Sequence, residues 1–221
     1  MATAVLVDAA FFLKRFKTVY PHLDHKNPDL VAKQLYTMCL AHVADTDLYR
    51  VLIYDCPPLD KKSQHPVTGE AVDFTKLPGA IFRMDFHNNL KKLRKVALRL
   101  GYLTGYRWVI KPKATKELLN GKIKPSDLGH HDVEFEINQK GVDMKIGLDI
   151  AALALKQQVK QIVLISGDGD FVPASKLARR EGIDVVLDPM WAHVGDSLNE
   201  HVDGIKSTCP KPAGYTPQVS N

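Results

Sequence analysis

At 221 residues with 45% hydrophobic content, the chain is long enough to bury one substantial core, and a single domain is the first expectation. No stretch approaches the roughly 18 consecutive apolar residues of a spanning helix, and the start runs into Asp8 too soon for a secretion signal, so a soluble, cytoplasmic protein without a membrane partner is expected. The net charge is only +5, but between His87 and Ser126 eleven Lys/Arg face the single acid Glu117, which puts +10 in that window and leaves −5 for the rest. Such a segment suits a polyanion, because each neutralised phosphate releases condensed counterions; a solvated helix face explains the same charges equally well.

Ala4 to Asp8 is a short, partly β-branched apolar run ending in a carboxylate, and reads as a buried strand. From Asp29 to His42, Leu30, Val31, Leu35, Met38 and Cys39 recur at helical spacing, and Tyr49 to Asp55 supplies a second strand closed by Pro57 and Pro58. Leu59 to Pro78 is polar, with Pro66, Gly69 and Pro78, and reads as an exposed loop. A basic helix is expected over His87 to Leu100, with Leu90, Leu93, Val96, Ala97 and Leu100 on one face and Gly101 to stop it. Tyr106 to Ile110 reads as a strand, Lys111 to His131 as a lysine-rich excursion, hairpin or flexible arm, and Val133 to Ile137 follows.

In the last third, a helix is expected from about Asp143 to Gln157, then the strand Gln161 to Ser166, the turn Gly167 to Asp170, a helix through Glu181 ended by Gly182, and the strand Ile183 to Leu187. That β-α-β order implies a parallel sheet. The segment 208–221, with Pro210, Pro212, Gly214 and Pro217, is expected to be a flexible tail outside a domain of residues 1–207, in which 87–131 forms a basic insertion. The odd set Cys39, Cys56 and Cys209, without C-x-x-C spacing, suggests neither disulfides nor zinc.

In open parallel sheets the working site lies outside the carboxyl ends of the strands. Asp8, Asp168 and Asp170 fall there by sequence logic, and Asp143 lies at the mouth of a helix. Clustered carboxylates repel one another and are rarely kept without a cation; oxygen ligands favour Mg2+ or Mn2+, which can activate a water for attack on a phosphodiester. Taken singly, Asp143 or Asp170 is also explained as a helix cap. Asp149, about 240° round the helix from Asp143, should not share the site, while Asp55 is a second-tier candidate and Asp188 is peripheral.

Three motifs carry a family resemblance: Tyr54-Asp55-Cys56-Pro57-Pro58, Lys140-Gly141-Val142-Asp143-Met144-Lys145-Ile146 and Ser166-Gly167-Asp168-Gly169-Asp170-Phe171-Val172-Pro173. In this order, over about residues 4 to 190, they resemble the NYN family of PIN-like proteins, the LabA-like group. The resemblance implies an α/β, three-layer PIN-like or Rossmann-like fold with a central, mainly parallel sheet flanked by helices. It further implies divalent-metal-dependent ribonuclease activity, with the family acids falling on Asp8, Asp143, Asp168 and Asp170. The family usually places Asn three residues after the first Asp, where this chain has Phe11.

RNA is thus the expected partner, and Lys91, Lys92, Lys95, Lys111, Lys113, Lys140 and Lys145 are the candidate phosphate contacts. Tyr102, Tyr106 and Trp108 suit base stacking or strand packing, and adjacent His130 and His131 read as solvated. Two other function classes remain: a nucleic-acid-binding module without catalysis, and a phosphatase using Asp8 as nucleophile. Against the latter, Ala10 stands where a second acid would be wanted. Oligomeric state is open, a homodimer included.

Overall fold

The computed structural model describes residues 2–215. In chain order the elements are β1 (Ala2–Asp8), α1 (Ala9–Val19), α2 (Pro28–Ala41), β2 (Asp47–Asp55), β3 (Lys62–Gln64), β4 (Ala71–Asp73), α3 (Pro78–Lys91), β5 (Val96–Leu100) and β6 (Tyr102–Ile110). They continue with α4 (Pro112–Leu119), β7 (Val133–Lys140), α5 (Val142–Leu155), β8 (Gln161–Ile165), α6 (Val172–Arg180), β9 (Asp184–Asp188), α7 (Asp196–Asn199) and β10 (Gly204–Ile205).

Six strands form one sheet in the order β10-β9-β8-β1-β2-β5, and every pair in it is parallel. Because side chains alternate along a strand, Val5 and Val7 face one layer and Ala4 and Leu6 the other. The first layer is built with Phe12 and Phe16 of α1, Leu35 and Met38 of α2, and Phe86 and Leu90 of α3. The second uses Ile146, Ile150 and Leu153 of α5, Ala178 of α6 and Leu198 of α7. Both faces are covered, which is why β1 reads as an unbroken apolar run rather than an alternating one. The expected three-layer α/β architecture is therefore present, with the central sheet wholly parallel.

Two antiparallel hairpins, β3–β4 and β6–β7, stand outside this sheet. Phe74, Trp108 and Phe135 form an aromatic cluster between them, with Phe74 and Phe135 centroids 4.2 Å apart, and Trp108 Nε1 donates to Ser63 Oγ at 3.0 Å. His130 is not isolated in solvent: its ring stacks on buried His65 at 4.4 Å. The segment Leu59–Pro78 thus carries a hairpin and buried Phe74 rather than a bare loop. Lys111–His131 connects β6 to β7 and contains α4.

The helix expected over His87–Leu100 is a correction. α3 ends at Lys91, the chain reverses through Lys95 at φ 59°, and Val96–Leu100 becomes the edge strand beside β2. Leu90, Leu93, Val96, Ala97 and Leu100 satisfy helical spacing, but Val96, Ala97 and Leu98 are β-compatible and the open edge of β2 offers a ladder of hydrogen bonds; tertiary pairing overrides local periodicity. The expected flexible tail also needs revision at its start. Thr208 Oγ1 donates to the Met38 carbonyl at 3.1 Å, Cys209 is buried, and Trp191 Nε1 donates to the Cys209 carbonyl at 2.9 Å. Residues 216–221 of that segment lie outside the described residues. Among the described residues, no helix is long and apolar enough to cross a membrane.

Candidate active site

The parallel register brings the acids to one edge. Val7 pairs with Ile165, so Asp8 and Ser166 leave β1 and β8 side by side at the carboxyl end of the sheet. Asp8 serves as the N-cap of α1, accepting from Phe11 N at 3.1 Å. After β8, buried Ser166 accepts from Asp168 N at 3.3 Å through its hydroxyl, and Asp168 accepts from Asp170 N at 3.0 Å. The third contributor is α5. Gly141 at φ 80° turns the chain from β7 into this helix, a left-handed conformation that costs glycine least, and Asp143 then stands in the first turn.

Neighbouring carboxylates act on Asp8 and on Asp143. Burial pushes the Asp8 carboxyl above its ordinary value, with Asp143 and Asp55 adding to the rise against the lowering effect of the Phe11 N–H. Asp143 is likewise pushed up, first by burial and then by Asp168 and Asp170. Asp143 is therefore the electrostatic link between Asp8 and the Gly167–Asp170 turn. Among the described residues none of the four makes an ion pair.

This donor set suits a hard divalent cation in its chemistry: it offers oxygen only, in excess negative charge, and among the described residues no ion pair offsets it. The side chains do not converge into a finished cage. Among the described residues no three His, Cys, Asp or Glu side chains stand close enough together to hold a metal ion. The three cysteines offer no alternative chemistry: all are free and buried, and burial pushes their thiols up, that of Cys209 to about 12.

Phe11 fills the space between the two acid-bearing turns. A Cβ on Gly167 would come within 2.9 Å of Phe11 Cε2, so the ring lies directly on the turn that leads to Asp168.

The structure disperses the candidate lysines. Lys140 pairs with Tyr102 at the base of the β6–β7 hairpin and Lys145 lies in the first turn of α5, so both flank Asp143. Lys91 and Lys92 stand at the C-terminal end of α3, and the Lys95 ammonium donates to the Leu48 carbonyl at the amino end of β2. Leu48 is six residues before Tyr54, the partner of Asp8, or ~20 Å along the strand. Lys111 and Lys113, nine and eleven residues beyond Tyr102, follow the far end of β6, a strand that spans ~27 Å. Asp149 stays out of the site, accepting from Tyr54 OH at 2.8 Å and Arg99 Nε at 3.1 Å.

Sequence reasoning missed the setting of Asp55. It is buried, accepts from Cys56 N and His87 Nε2, each at 2.8 Å, and pairs with the Arg83 guanidinium. The spacing of Arg83 and His87, four residues apart on one helix face, was a usable signal hidden by placing the helix start at His87.

The NYN domain family model matches residues 71–203, three-fifths of the chain. The chain belongs to the NYN domain family. The match includes Asp143, Asp168 and Asp170 and leaves out β1 with Asp8. NYN membership places the protein in the PIN-like nuclease superfamily, as the three sequence motifs imply. No curated protein matches the chain. Among solved structures it is similar to VPA0982, a protein of unknown function from Vibrio parahaemolyticus RIMD 2210633, at 16% identity and a TM-score of 0.49, with 92% of this chain and 90% of that one covered.

Proposed function

We propose that this NYN protein is a divalent-metal-dependent endoribonuclease of the cytoplasm that hydrolyses RNA phosphodiester bonds at the carboxyl edge of β1 and β8. The observation that carries the reading is that Asp8 and the Gly167–Asp170 turn leave adjacent parallel strands at one edge of the sheet, with Asp143 near enough to feel both and none of the four in an ion pair among the described residues. Left alone, this cluster would repel a phosphodiester; its chemistry requires a cation before an anionic substrate can approach. Asp8, Asp143, Asp168 and Asp170 would hold Mg2+ or Mn2+, which supplies charge neutralisation and a water of lowered pKa.

The rest of the work falls to the chain itself. Ser166 fixes the Asp168 backbone through its hydroxyl, which sets the direction of that carboxylate. Lys140 and Lys145 offer ammonium groups to the phosphates on either side of the cut, and Tyr102, exposed at the hairpin base, offers a ring to a neighbouring base.

Cleavage of labelled single-stranded RNA by the wild type and by Asp168→Asn, with Mn2+, Mg2+ or chelator, tests this. Metal-dependent cutting that disappears in the variant is the expected result. A second reading rests on Phe11: a ring where the family usually has Asn favours a nucleic-acid-binding module that does not cut. Salt-sensitive binding without product under every metal condition would select it.

A further inference from the structure

A cleft of about 710 Å³ lies between α1, the loop that leads into α2 and the first turns of α3. Its lining includes none of the lysines of the basic window. Its walls bring together Lys14 and Lys17 of α1, Lys26 of the loop and Arg83 of α3, and no acid lines it. The three lysines make no ion pair among the described residues. Arg83 is anchored through Nη1 on Asp55, and among the described residues its other nitrogens have no protein acceptor. A guanidinium has five N–H donors, so Arg83 is held in place by one edge with the remainder available.

The cleft is not uniformly polar. Leu13 and Phe82 form part of its wall, and the Phe82 ring is fixed by near-parallel stacking on Phe86, at 6.0 Å and 10°. Cations beside one fixed flat apolar surface are what an unpaired nucleotide needs: phosphate on the former, base on the latter. Position connects the cleft to the acids. Ala10 lines it, two residues beyond Asp8 on the same helix turn.

A larger cavity, about 990 Å³, also has basic walls, with Lys176, Arg179 and Arg180. It sits at the amino start of β9, includes Asp184 and Asp203, and its Arg179 is already paired with Asp203 at 2.8 Å. It is therefore both partly neutralised and at the opposite edge from the acids.

We propose that the cleft of Lys14, Lys17, Lys26 and Arg83 seats a nucleotide of single-stranded RNA next to the one at the acid cluster, so that the strand runs over the start of α1. This rests on the nuclease reading for the identity of the strand, and extends it to where the strand is gripped. The basic side chains at the far end of the β6–β7 hairpin are then outside the main track.

The test reads binding rather than cutting. Asp168→Asn protein in chelator is titrated against a fluorescein-labelled unpaired RNA by anisotropy at several salt concentrations, alone and with Lys14→Glu/Lys17→Glu or Lys113→Glu/Lys116→Glu added. Both pairs are exposed on helix surfaces, and circular dichroism confirms that each variant is folded. Expected is about tenfold or greater weakening, with a shallower salt dependence, for the α1 pair and less than about twofold for the hairpin pair. Equal weakening by both pairs, an unaffected α1 variant, or no RNA binding by the parent each overturns the cleft. Failure of the nuclease reading looks different: wild-type protein with metal leaves RNA intact while the α1 pair still controls binding.

Discussion

Three strands of the one parallel sheet end in aspartate, and their fates differ. Asp55 ends β2 and Asp188 ends β9; both are almost wholly buried, at 1% and 0% exposure. Each is fully partnered: Asp55 by Arg83, His87 and Cys56 N, and Asp188 by His42 Nε2 at 2.8 Å, Met190 N at 2.7 Å and Thr208 N at 3.3 Å. Asp8 ends β1 in the same way, yet among the described residues it has backbone N–H partners alone, with the carboxylates of Asp143 and Asp55 nearby. The same residue at the same structural position is thus a brace in two strands and an unneutralised ligand candidate in the third. What separates the roles is whether a partner arrives from another element, because a buried carboxylate needs charge and hydrogen bonds to be tolerated.

The comparison breaks most visibly if the bracing acids are removed. Asp188→Ala should cost ~3–5 kcal/mol of stability in urea denaturation, by leaving His42 and two backbone N–H groups without their acceptor; a loss below about 1 kcal/mol would falsify the bracing role. Asp55→Ala should be of similar size, since it strands Arg83 and His87.

Asp168→Asn should do the reverse. Metal-dependent cleavage falls at least about 100-fold, while the urea midpoint holds or rises, because one charge leaves a repelling cluster. A variant that both unfolds more easily and retains cleavage would place Asp168 with the braces instead.

The pH response sharpens the contrast further. The carboxyls of Asp8 and Asp143 are raised in the folded protein above their ordinary value near 3.8, so between that value and the raised ones the folded state binds more protons than the unfolded state. Stability in chelator therefore falls as pH rises through this window. Asp143→Asn should flatten that part of the melting-temperature profile, and millimolar Mg2+ or Mn2+ at neutral pH should restore stability to the wild type but not to the variant.

The smallest effect is expected at Phe11. Phe11→Asn removes the ring that lies on Gly167 and replaces it with the residue the family usually carries. A several-fold gain in metal-dependent cleavage should follow, measured against the same RNA; no gain, with Asp168-dependent cutting already present, would mean that the ring is a tolerated substitution.

The alternating β and α runs, the three motifs and the abrupt acids after Val7 and Ser166 were legible in the sequence because buried parallel strands are apolar throughout and turns need glycine and polar residues. Local periodicity also fixed α2 and α5 to within a few residues of their observed bounds. It failed over His87–Leu100, where a helical pattern and a strand pattern coexist and only the open edge of β2 chooses between them.

The site divides along the same line. Sequence alone nominated Asp8, Asp143, Asp168 and Asp170, since motif spacing and strand ends are one-dimensional facts. Only the tertiary structure supplied the partners that brace Asp55 and Asp188, placed Lys95 at the opposite edge from the acids, and assembled Lys14, Lys17, Lys26 and Arg83 from three segments into one cleft. Charge pairing and the direction of a strand depend on which elements become neighbours, and that is set by the packing of two hydrophobic layers on the sheet rather than by any stretch of sequence read by itself.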